Sequence, residues 1–446
     1  MSTTRLLTFG LSLMFLSLCR GTLAAQTAPF YAEIQLPELS RLLEQARESA
    51  PTLVSQSFAQ QEASARLDAA KADYYPRLDM GANFGLTRNT YAQGTYPDEQ
   101  NAALGFNARV SRPLYHWGAI QAKIRQASLD FSNETLQRVF VLRQIKRGLR
   151  ADYLSLLLNR LSIENLRLRR QIAEDNAARL ASDRAQGILT NITAEQAEIN
   201  IAQDALNLEQ LENQQSRILA DFRRTVGWNE PLQLDQPPPR PDISGILAWV
   251  EQGRAQGLDA WVSDSIEVKR RQNLIERERQ ELIRIKAAQR PLINFTTSIG
   301  QSQRNTSAAN NVETISTFIG LDVSWNVFDG FQTSARKRES LLRQRRLERQ
   351  LESYQSELRS QAINIVDQIA FLARQFQLDE RRAALQEQAF TFQQRDADEG
   401  RTSPQVFRQQ QLGMQESRLA TFRMRVQLLL ALNDYLDLTL PVYVGD

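Results

Sequence analysis

Two kinds of hydrophobic pattern follow one another along this chain, and the same order occurs twice. In two stretches near residues 78–87 and 104–111, apolar and polar positions alternate as in β-strands. From Ala119 to about Arg184 apolar residues recur every three or four positions without a proline, which predicts a helix on the order of 100 Å long. Residues 291–328 again alternate, and a second long helical run follows from Phe331 to Glu399. The pattern predicts a duplicated unit.

Prolines and glycines interrupt the two halves at nearly equal offsets. The offset is 215 residues between Pro76 and Pro291, 212 between Gly118 and Gly330, and 213 between Gly187 and Gly400. Because Gly187 and Gly400 each separate two helical runs, we interpret each pair of runs as an antiparallel helical hairpin. Thr190 and Ser403 are the predicted N-cap residues of the two return helices.

These breaks divide the chain into two repeats of the same kind, so the predicted fold class is mainly α with a small β part. The predicted segments are a signal peptide at 1–25, a first repeat at 26–228 with a β-hairpin at 77–114 and a helical hairpin at 119–227, a proline-rich linker at 229–242, a second repeat at 243–440 with a β-hairpin at 291–328 and a helical hairpin at 331–438, and a C-terminal tail at 441–446.

The β-hairpins have two interpretations. Each strand is long enough to cross a bilayer at a tilt, but a soluble hairpin with one face on a core would show the same alternation. If the strands cross a membrane, four are too few for a closed barrel, and the narrow apolar stripes of the long helices also need neighbours. Several copies that share one transmembrane barrel would meet both needs.

The strand-to-helix junctions are the first group of candidate site residues. Each junction places aromatic residues near a strand end, where a membrane interface favours them, and glycine where the chain turns. The candidate junction residues are Pro113, Gly118, Trp325, Phe328 and Gly330.

The N-terminus carries the features of an export signal. Arg5 precedes an apolar run from Leu6 to Leu18, which is short for a membrane-spanning helix, and Ala24-Ala25 offers a cleavage site. An N-terminal membrane anchor is the alternative. Lipidation of Cys19 is disfavoured because Leu18 stands where a small residue is needed. The predicted mature chain then lacks cysteine and is exported.

The composition offers little material for catalysis. His116 is the only histidine, no GxxxxGK[ST] loop occurs, and the formal net charge is +3. We therefore expect no enzyme activity, no cofactor, no bound metal and no nucleic-acid partner. The arginines between Arg143 and Arg150 are expected on solvated helix faces.

The motifs in this order resemble the TolC-like outer-membrane efflux and secretion channels. The resemblance rests on LPELSRLLEQARESAPTL (36–53), on the junctions VSRPLYHWG (110–118) and VSWNVFDG (323–330), and on GILTNIT (187–193) and GRTSPQV (400–406) at the helix tips. It implies a homotrimer with twelve strands in one outer-membrane barrel and twelve helices in a periplasmic tunnel. The tips would meet a periplasmic adaptor and an inner-membrane transporter.

The tips supply the second group of candidate residues, which the resemblance places at the tunnel entrance. They are Asp183, Gly187, Thr190, Asp396, Asp398, Glu399, Gly400, Arg401 and Ser403. Many members of that family carry aspartates in the return helix after the second tip, where this chain has Val406 and Gln409. A solvated helix end is the alternative role for these tip residues.

The competing hypothesis is a periplasmic coiled-coil scaffold or adaptor with soluble β-hairpins. Fractionation distinguishes the two, because a channel is extracted from the outer membrane with detergent and a scaffold is released with the soluble periplasm. The sequence identifies neither the cargo nor the partner pump.

Overall fold

The computed structural model describes residues 36–89, 99–186, 191–228, 232, 234, 240–256, 259–305 and 311–439. Within these residues the chain forms nine helices and one antiparallel four-stranded sheet, so the predicted mainly α fold class is confirmed. The predicted signal peptide, most of the proline-rich linker, the C-terminal tail, Gly187 and Thr190 lie outside the described residues.

The elements follow one another in the predicted order. The helices are α1 (Pro37–Ser49), α2 (Pro51–Ala72), α3 (Ala119–Ala185), α4 (Asn191–Val226), α5 (Ile243–Gln256), α6 (Asp259–Asp264), α7 (Ile266–Ala287), α8 (Gln332–Asp398) and α9 (Pro404–Thr439). The strands are β1 (Arg77–Asn89), β2 (Glu99–Tyr115), β3 (Leu292–Asn305) and β4 (Asn311–Ser324).

The long helices have equal lengths in the two halves. Helices α3 and α8 have 67 residues each, and α4 and α9 have 36 each. Equal lengths agree with a duplication, although the exact division into two repeats stays a prediction. Because α3 begins at 119 and α8 at 332, the offset at the junction is 213 residues. Gly118 and Gly330 are 212 apart, so the sequence-based pairing of these two glycines is wrong by one position.

The chain forms two compact units, and each combines residues from both halves of the sequence. Unit 1 comprises the described parts of Met1–Ser55, Arg138–Ile266 and Gln355–Asp446, and unit 2 comprises those of Gln56–Gln137 and Glu267–Tyr354. The compact units therefore do not coincide with the predicted repeats.

The core of unit 1 is built on an amphipathic helix. Helix α1 presents Leu39, Leu42, Leu43 and Ala46 on one face at three- and four-residue spacing, and all four are buried. They belong to a cluster that also contains the buried residues Tyr153, Leu154, Leu156, Phe222 and Val226. A second cluster in unit 1 contains Ile246, Ile369, Phe376, Leu428 and Tyr435. These clusters hold segments distant in sequence together.

One charged pair is buried in unit 1, which corrects an expectation from the sequence. Arg150 is only 4 % exposed, and its Nη1 lies 3.4 Å from Oδ1 of Asp437. Burial raises the pKa of Asp437 although Arg150, Arg143 and Arg147 favour its charged form. The prediction that the arginines from Arg143 to Arg150 lie on solvated faces is therefore wrong for Arg150.

Unit 2 contains the sheet, whose strands follow the order β1-β2-β3-β4 with antiparallel pairing throughout. Helices α3 and α7 contact each other in this unit through polar groups. Gln126 donates from Nε2 to the carbonyl of Arg277 and to Oε2 of Glu281, and Arg277 forms an ion pair with Asp130. None of the described helices is both long enough and apolar enough to cross a membrane.

We expect Leu154→Ala to lower the free energy of unfolding by about 3 kcal/mol, because it removes a fully buried side chain from the unit 1 core. The matched control is Leu274→Ala. Because Leu274 is 40 % exposed, this substitution should lower the free energy of unfolding much less. Denaturant unfolding followed by helical circular dichroism measures both. Equal losses would contradict the assignment of Leu154 to a tightly packed core.

Candidate functional site

The two faces of the sheet differ sharply in polarity. On one face the register aligns Leu78, Val110, Thr297 and Ile319, and the next row aligns Met80, Ala108, Ile299 and Thr317. Large apolar side chains on this face are open to solvent, including Phe84 at 76 % and Ile319 at 71 % exposed. We call this surface the apolar face. A contiguous exposed apolar surface of this kind marks contact with a partner or a membrane.

The opposite face carries charged, amide and small residues, with Phe318 as a large apolar exception. Arg77 forms an ion pair with Asp79 at 2.8 Å, and Arg109 lies opposite Asp79 in the register. Glycines leave room for neighbouring amides, because a Cβ at Gly81 would lie 2.5 Å from Oδ1 of Asn107. We call this surface the polar face. Near the junctions it borders a groove of about 630 Å³, where Nε2 of His116 lies 2.8 Å from Oδ1 of Asn294.

The outer strands of the sheet have free edges. β1 pairs only with β2, and β4 pairs only with β3, among the strands that the structure describes. Each edge therefore presents backbone N–H and C=O groups that no other described strand satisfies. The sheet is incomplete as a membrane element without further strands.

Both junctions form the same backbone turn. Trp117 and Gly118 have φ values of 53° and 81°, and Gly330 and Phe331 have φ values of 63° and 66°. In each turn the N–H of the fourth residue donates to the carbonyl of the first. Ala119 donates to His116 in the first turn, and Gln332 donates to Asp329 in the second. Positive φ at both central residues is the signature of a type I′ turn. Glycine occupies the second central position in one turn and the first in the other.

The two junction tryptophans converge on a single turn between α7 and β3. Trp117 donates from Nε1 to the carbonyl of Pro291 at 2.8 Å, and Trp325 donates to the carbonyl of Gln289 at 3.0 Å. The guanidinium carbon of Arg290 lies 4.7 Å from the centre of the Trp117 ring. Sequence reasoning placed Trp325 and Trp117 among the aromatic residues at the strand ends but did not predict that both donate to one turn.

The remaining junction residues have distinct roles. Pro113 lies in β2 opposite Asn294, next to an irregularity in the strand register. Phe328 is 73 % exposed and contacts the Phe331 ring. Asp329 caps α8 by accepting from the Thr333 N–H at 2.9 Å and from its hydroxyl, and these bonds lower the pKa of the Asp329 carboxyl.

The second tip ends in a glycine-capped turn. Gly400 has a φ of 72°, its N–H bonds the carbonyl of Ala397, and the Arg401 N–H bonds the carbonyl of Asp396. This is the Schellman arrangement that ends a helix. Glu399 and Arg401 form an exposed ion pair at 2.9 Å. Next along the chain, Oγ of Ser403 accepts a bond from the N–H of Val406 at the start of α9.

The other tip residues from the sequence analysis lie close to the helix ends. Asp183 is in the last turn of α3, and Asp396 and Asp398 are in the last turn of α8. Among the described residues, no hydrogen bond joins Asp183 to either of these two acids.

Sequence reasoning missed the contacts that join the tip ends of α3 and α9. Asp175 forms an ion pair with Arg408, and Arg179 donates from Nη1 to Oε1 of Gln405 at 2.8 Å. The Phe390 and Phe407 rings lie 5.4 Å apart beside them. The sequence signal for these pairs was weak, since opposite charges 233 residues apart do not identify one another.

Exposed apolar residues on the long helices of unit 1 recur at heptad spacing. Phe371, Leu378, Leu385 and Phe392 of α8 are seven residues apart and 62–66 % exposed. Ile192, Ile199 and Leu206 of α4 show the same spacing. We call these sets the heptad stripes. Such a repeat is typical of helices that pack along a neighbouring helix.

Residues 42–227 match the sequence model of the outer membrane efflux protein family. Solved structures match the fold over about nine-tenths of the chain. The chain has the fold of the TolC-like outer-membrane channels. A comparison with curated protein sequences found no match.

Three solved structures illustrate this TolC-like fold. The Campylobacter jejuni outer membrane channel CmeC is 11 % identical with a TM-score of 0.71, and the match covers 90 % of this chain and 85 % of CmeC. The Vibrio cholerae outer membrane protein VceC is 15 % identical with a TM-score of 0.68, and the match covers 90 % of this chain and 96 % of VceC. The open state of the Neisseria gonorrhoeae channel MtrE is 12 % identical with a TM-score of 0.65, and the match covers 90 % of this chain and 89 % of MtrE.

We expect Gly330→Ala to destabilise the protein by about 1 kcal/mol, because alanine at this positive φ is strained. No heavy atom lies within 4 Å of the position that a Cβ would take, so the effect isolates backbone strain from crowding. Phe331→Gly should act in the opposite direction at the next residue. Thermal unfolding measures both variants. If both variants are destabilised, the contacts of the Phe331 ring stabilise the protein by more than the backbone strain at Phe331 costs.

Proposed function

We propose that this protein is the outer-membrane channel of a tripartite efflux or type I secretion system. In this proposal three copies form a passive conduit that a periplasmic adaptor links to an inner-membrane transporter. The chain is exported by its N-terminal signal and acts in transport, not catalysis. The match to the outer membrane efflux protein family supports this role.

The observation that carries the proposal is the sheet, with its exposed apolar face and two free edges. In a bilayer every backbone polar group needs a partner, so an open four-stranded sheet is unstable there. Pairing the β4 edge of one copy with the β1 edge of the next satisfies both edges. Three copies would supply twelve strands and close a barrel, with the apolar face toward lipid and the polar face toward the lumen.

The heptad stripes support the same assembly in the helical part. An exposed row of phenylalanine and leucine is unfavourable in water unless another helix covers it. Within unit 1 the stripe on α8 has no cover, since each of its four residues is more than half exposed. We propose that a helix of the neighbouring copy packs along it.

The contacts between α3 and α9 support a closed entrance at the tips. Asp175 with Arg408, and Arg179 with Gln405, fix these helix ends against each other within one chain. We propose that the channel opens when these contacts separate and a helical hairpin swings outward. The entrance would then be flanked by Asp396, Asp398 and Glu399. They would take the place of the acids that many TolC-like channels carry in the return helix, where this chain has Val406 and Gln409.

The competing scaffold hypothesis explains less of the structure. A soluble adaptor would leave the apolar face in water, where side chains such as Phe84 and Ile319 are mostly exposed. Several structural relatives are described as channels, including CmeC and MtrE, and the structure of CusC is described in terms of transmembrane channel formation. We therefore favour the conduit.

Cysteine cross-linking tests the proposed β4–β1 pairing between copies. The predicted mature chain has no cysteine, so Asn83→Cys in β1 can be combined with one cysteine at Thr314, Ser316 or Phe318 of β4. These β4 residues share the polar face with Asn83. We expect at least one combination to give covalent dimers and trimers in outer membranes, since a disulfide needs Cα atoms within about 7 Å.

The matched controls for this cross-linking place the second cysteine at Ile315 or Thr317, on the apolar face. These combinations should remain monomeric on non-reducing gels. Cross-links that form equally well on both faces, or on neither, would contradict a barrel closed by these two edges.

A charge swap tests the tip contact. Asp175→Arg or Arg408→Asp alone should raise the conductance of the reconstituted channel severalfold, because each places like charges together. The double variant restores opposite charges and should return conductance close to that of the wild type. Arg349→Glu is the control, since within the described residues Arg349 forms an ion pair only with Glu352 on its own helix. Single variants with unchanged conductance would rule out a latch at this contact.

The role of the tip acids is tested by changing their sign. Replacing Asp396, Asp398 and Glu399 by lysine should lower the cation selectivity of the reconstituted channel if these side chains line the entrance. Glu352→Lys lies on the same helix but away from the tip, so it should leave the cation selectivity unchanged. If selectivity and conductance stay unchanged in the triple variant, these acids are solvated helix ends and do not line the pore.

A further inference from the structure

We propose that Arg290 and Lys337 form a binding surface for the headgroup of an anionic phospholipid at the periplasmic edge of the outer membrane. This inference rests on the proposed function for the position of the membrane. It adds a ligand class and names the residues that recognise it. We call these two side chains the junction cations.

The junction cations are both held at the turn between α7 and β3. The guanidinium of Arg290 stacks over the Trp117 ring at 4.7 Å, and Nζ of Lys337 donates to Oε1 of Gln289 at 2.5 Å. The carbonyl of the same Gln289 accepts the Trp325 indole N–H. Arg290 therefore stacks on the tryptophan of the first junction, and Lys337 bonds the same Gln289 residue as the tryptophan of the second.

The register places these aromatic residues on the side of the apolar face. Tyr115 pairs with Ile293, which pairs with Val323, and Leu321 and Ile319 precede Val323 on the same face at two-residue spacing. Trp325 continues this alternation and is 58 % exposed. The Tyr115 and Trp117 rings lie 4.7 Å apart. The apolar face thus ends in aromatic rings, and Arg290 stacks on one of them.

No described carboxylate neutralises the junction cations. The carboxylate of Asp329 accepts from Thr333, and Glu339 pairs with Arg343 on its own helix. Neither Arg290 nor Lys337 takes part in an ion pair within the described part of the chain. Two uncompensated cations therefore remain where a sheet with an apolar face passes into polar helices.

These features together match the chemistry of an anionic phospholipid. Indole and phenol rings favour the headgroup level of a bilayer, and basic side chains at that level attract anionic lipid. The aromatic stack and the Gln289 contact hold the junction cations in place, which reduces the entropy lost on binding. A free phosphate would use the cations but gain nothing from the exposed rings.

Native mass spectrometry of the full-length protein from bilayer nanodiscs tests this inference. The nanodiscs contain equal amounts of phosphatidylglycerol and phosphatidylethanolamine, and the measured quantity is the ratio of the two lipids retained. We expect the wild type to favour phosphatidylglycerol. Arg290→Gln combined with Lys337→Gln should lower this preference roughly tenfold at low salt.

Two further variants separate recognition from charge and from packing. Arg345→Gln with Arg346→Gln removes two exposed cations from the same helix α8 and should leave the ratio unchanged. Arg290→Lys keeps the charge and should retain most of the preference. Should the double glutamine variant fail to assemble, Lys337→Gln alone, which removes one side-chain hydrogen bond to Gln289, should still lower the ratio.

Three results would overturn the inference. They are an equal lipid ratio in the wild type and the double glutamine variant, an equal loss in the Arg345 and Arg346 control, and complete displacement of the lipid by excess inorganic phosphate. A protein that enters the outer membrane but shows one of these results lacks only the lipid site. A protein recovered in the soluble periplasm would instead refute the proposed channel itself.

Discussion

The need to satisfy backbone hydrogen bonds at the edges of the sheet governs how this structure can work. Antiparallel pairing satisfies the inner sides of the four strands, but the outer sides of β1 and β4 have no strand partner in the described chain. Water can satisfy such groups and a bilayer cannot. With an apolar face this exposed, the sheet is suited to lipid only when further copies complete it. The heptad stripes on the long helices raise the same requirement in a different part of the chain.

The two junctions show how one chain can join such a sheet to very long helices. Each uses a turn with two consecutive positive φ values, which reverses direction within four residues. Non-glycine residues adopt this conformation at some cost, and here Trp117 and Phe331 do so. Trp117 has compensating contacts, because it donates to Pro291 and stacks with Arg290 and Tyr115. The junction is thus strained locally and held by its surroundings.

Much of the fold could be predicted from the sequence, because helix and strand patterns are local and the breaks are marked by proline and glycine. The starts of α3 and α8 and the tip at Gly400 were predictable for this reason. The pairing of Gly118 with Gly330 rested on the spacing of glycines alone, and it is one position out because glycine occupies different central positions in the two turns. The structure shows that tryptophan and phenylalanine occupy the corresponding positions.

Contacts between distant segments were not predictable from one sequence. The burial of Arg150 depends on Asp437, and the pairing of Asp175 with Arg408 depends on the register of two helices. Neither residue stands out locally among many arginines and acids on long helices. The candidate tip residues were chosen from local motifs, and those motifs do not reveal which side chains meet.

The number of chains in the membrane-extracted complex decides whether further copies complete the sheet. Native mass spectrometry of the protein extracted from outer membranes in mild detergent measures this number without substitutions. The account predicts three copies, since three four-stranded sheets supply the twelve strands of one closed barrel. A single chain, or a protein recovered only from the soluble periplasm, would contradict it.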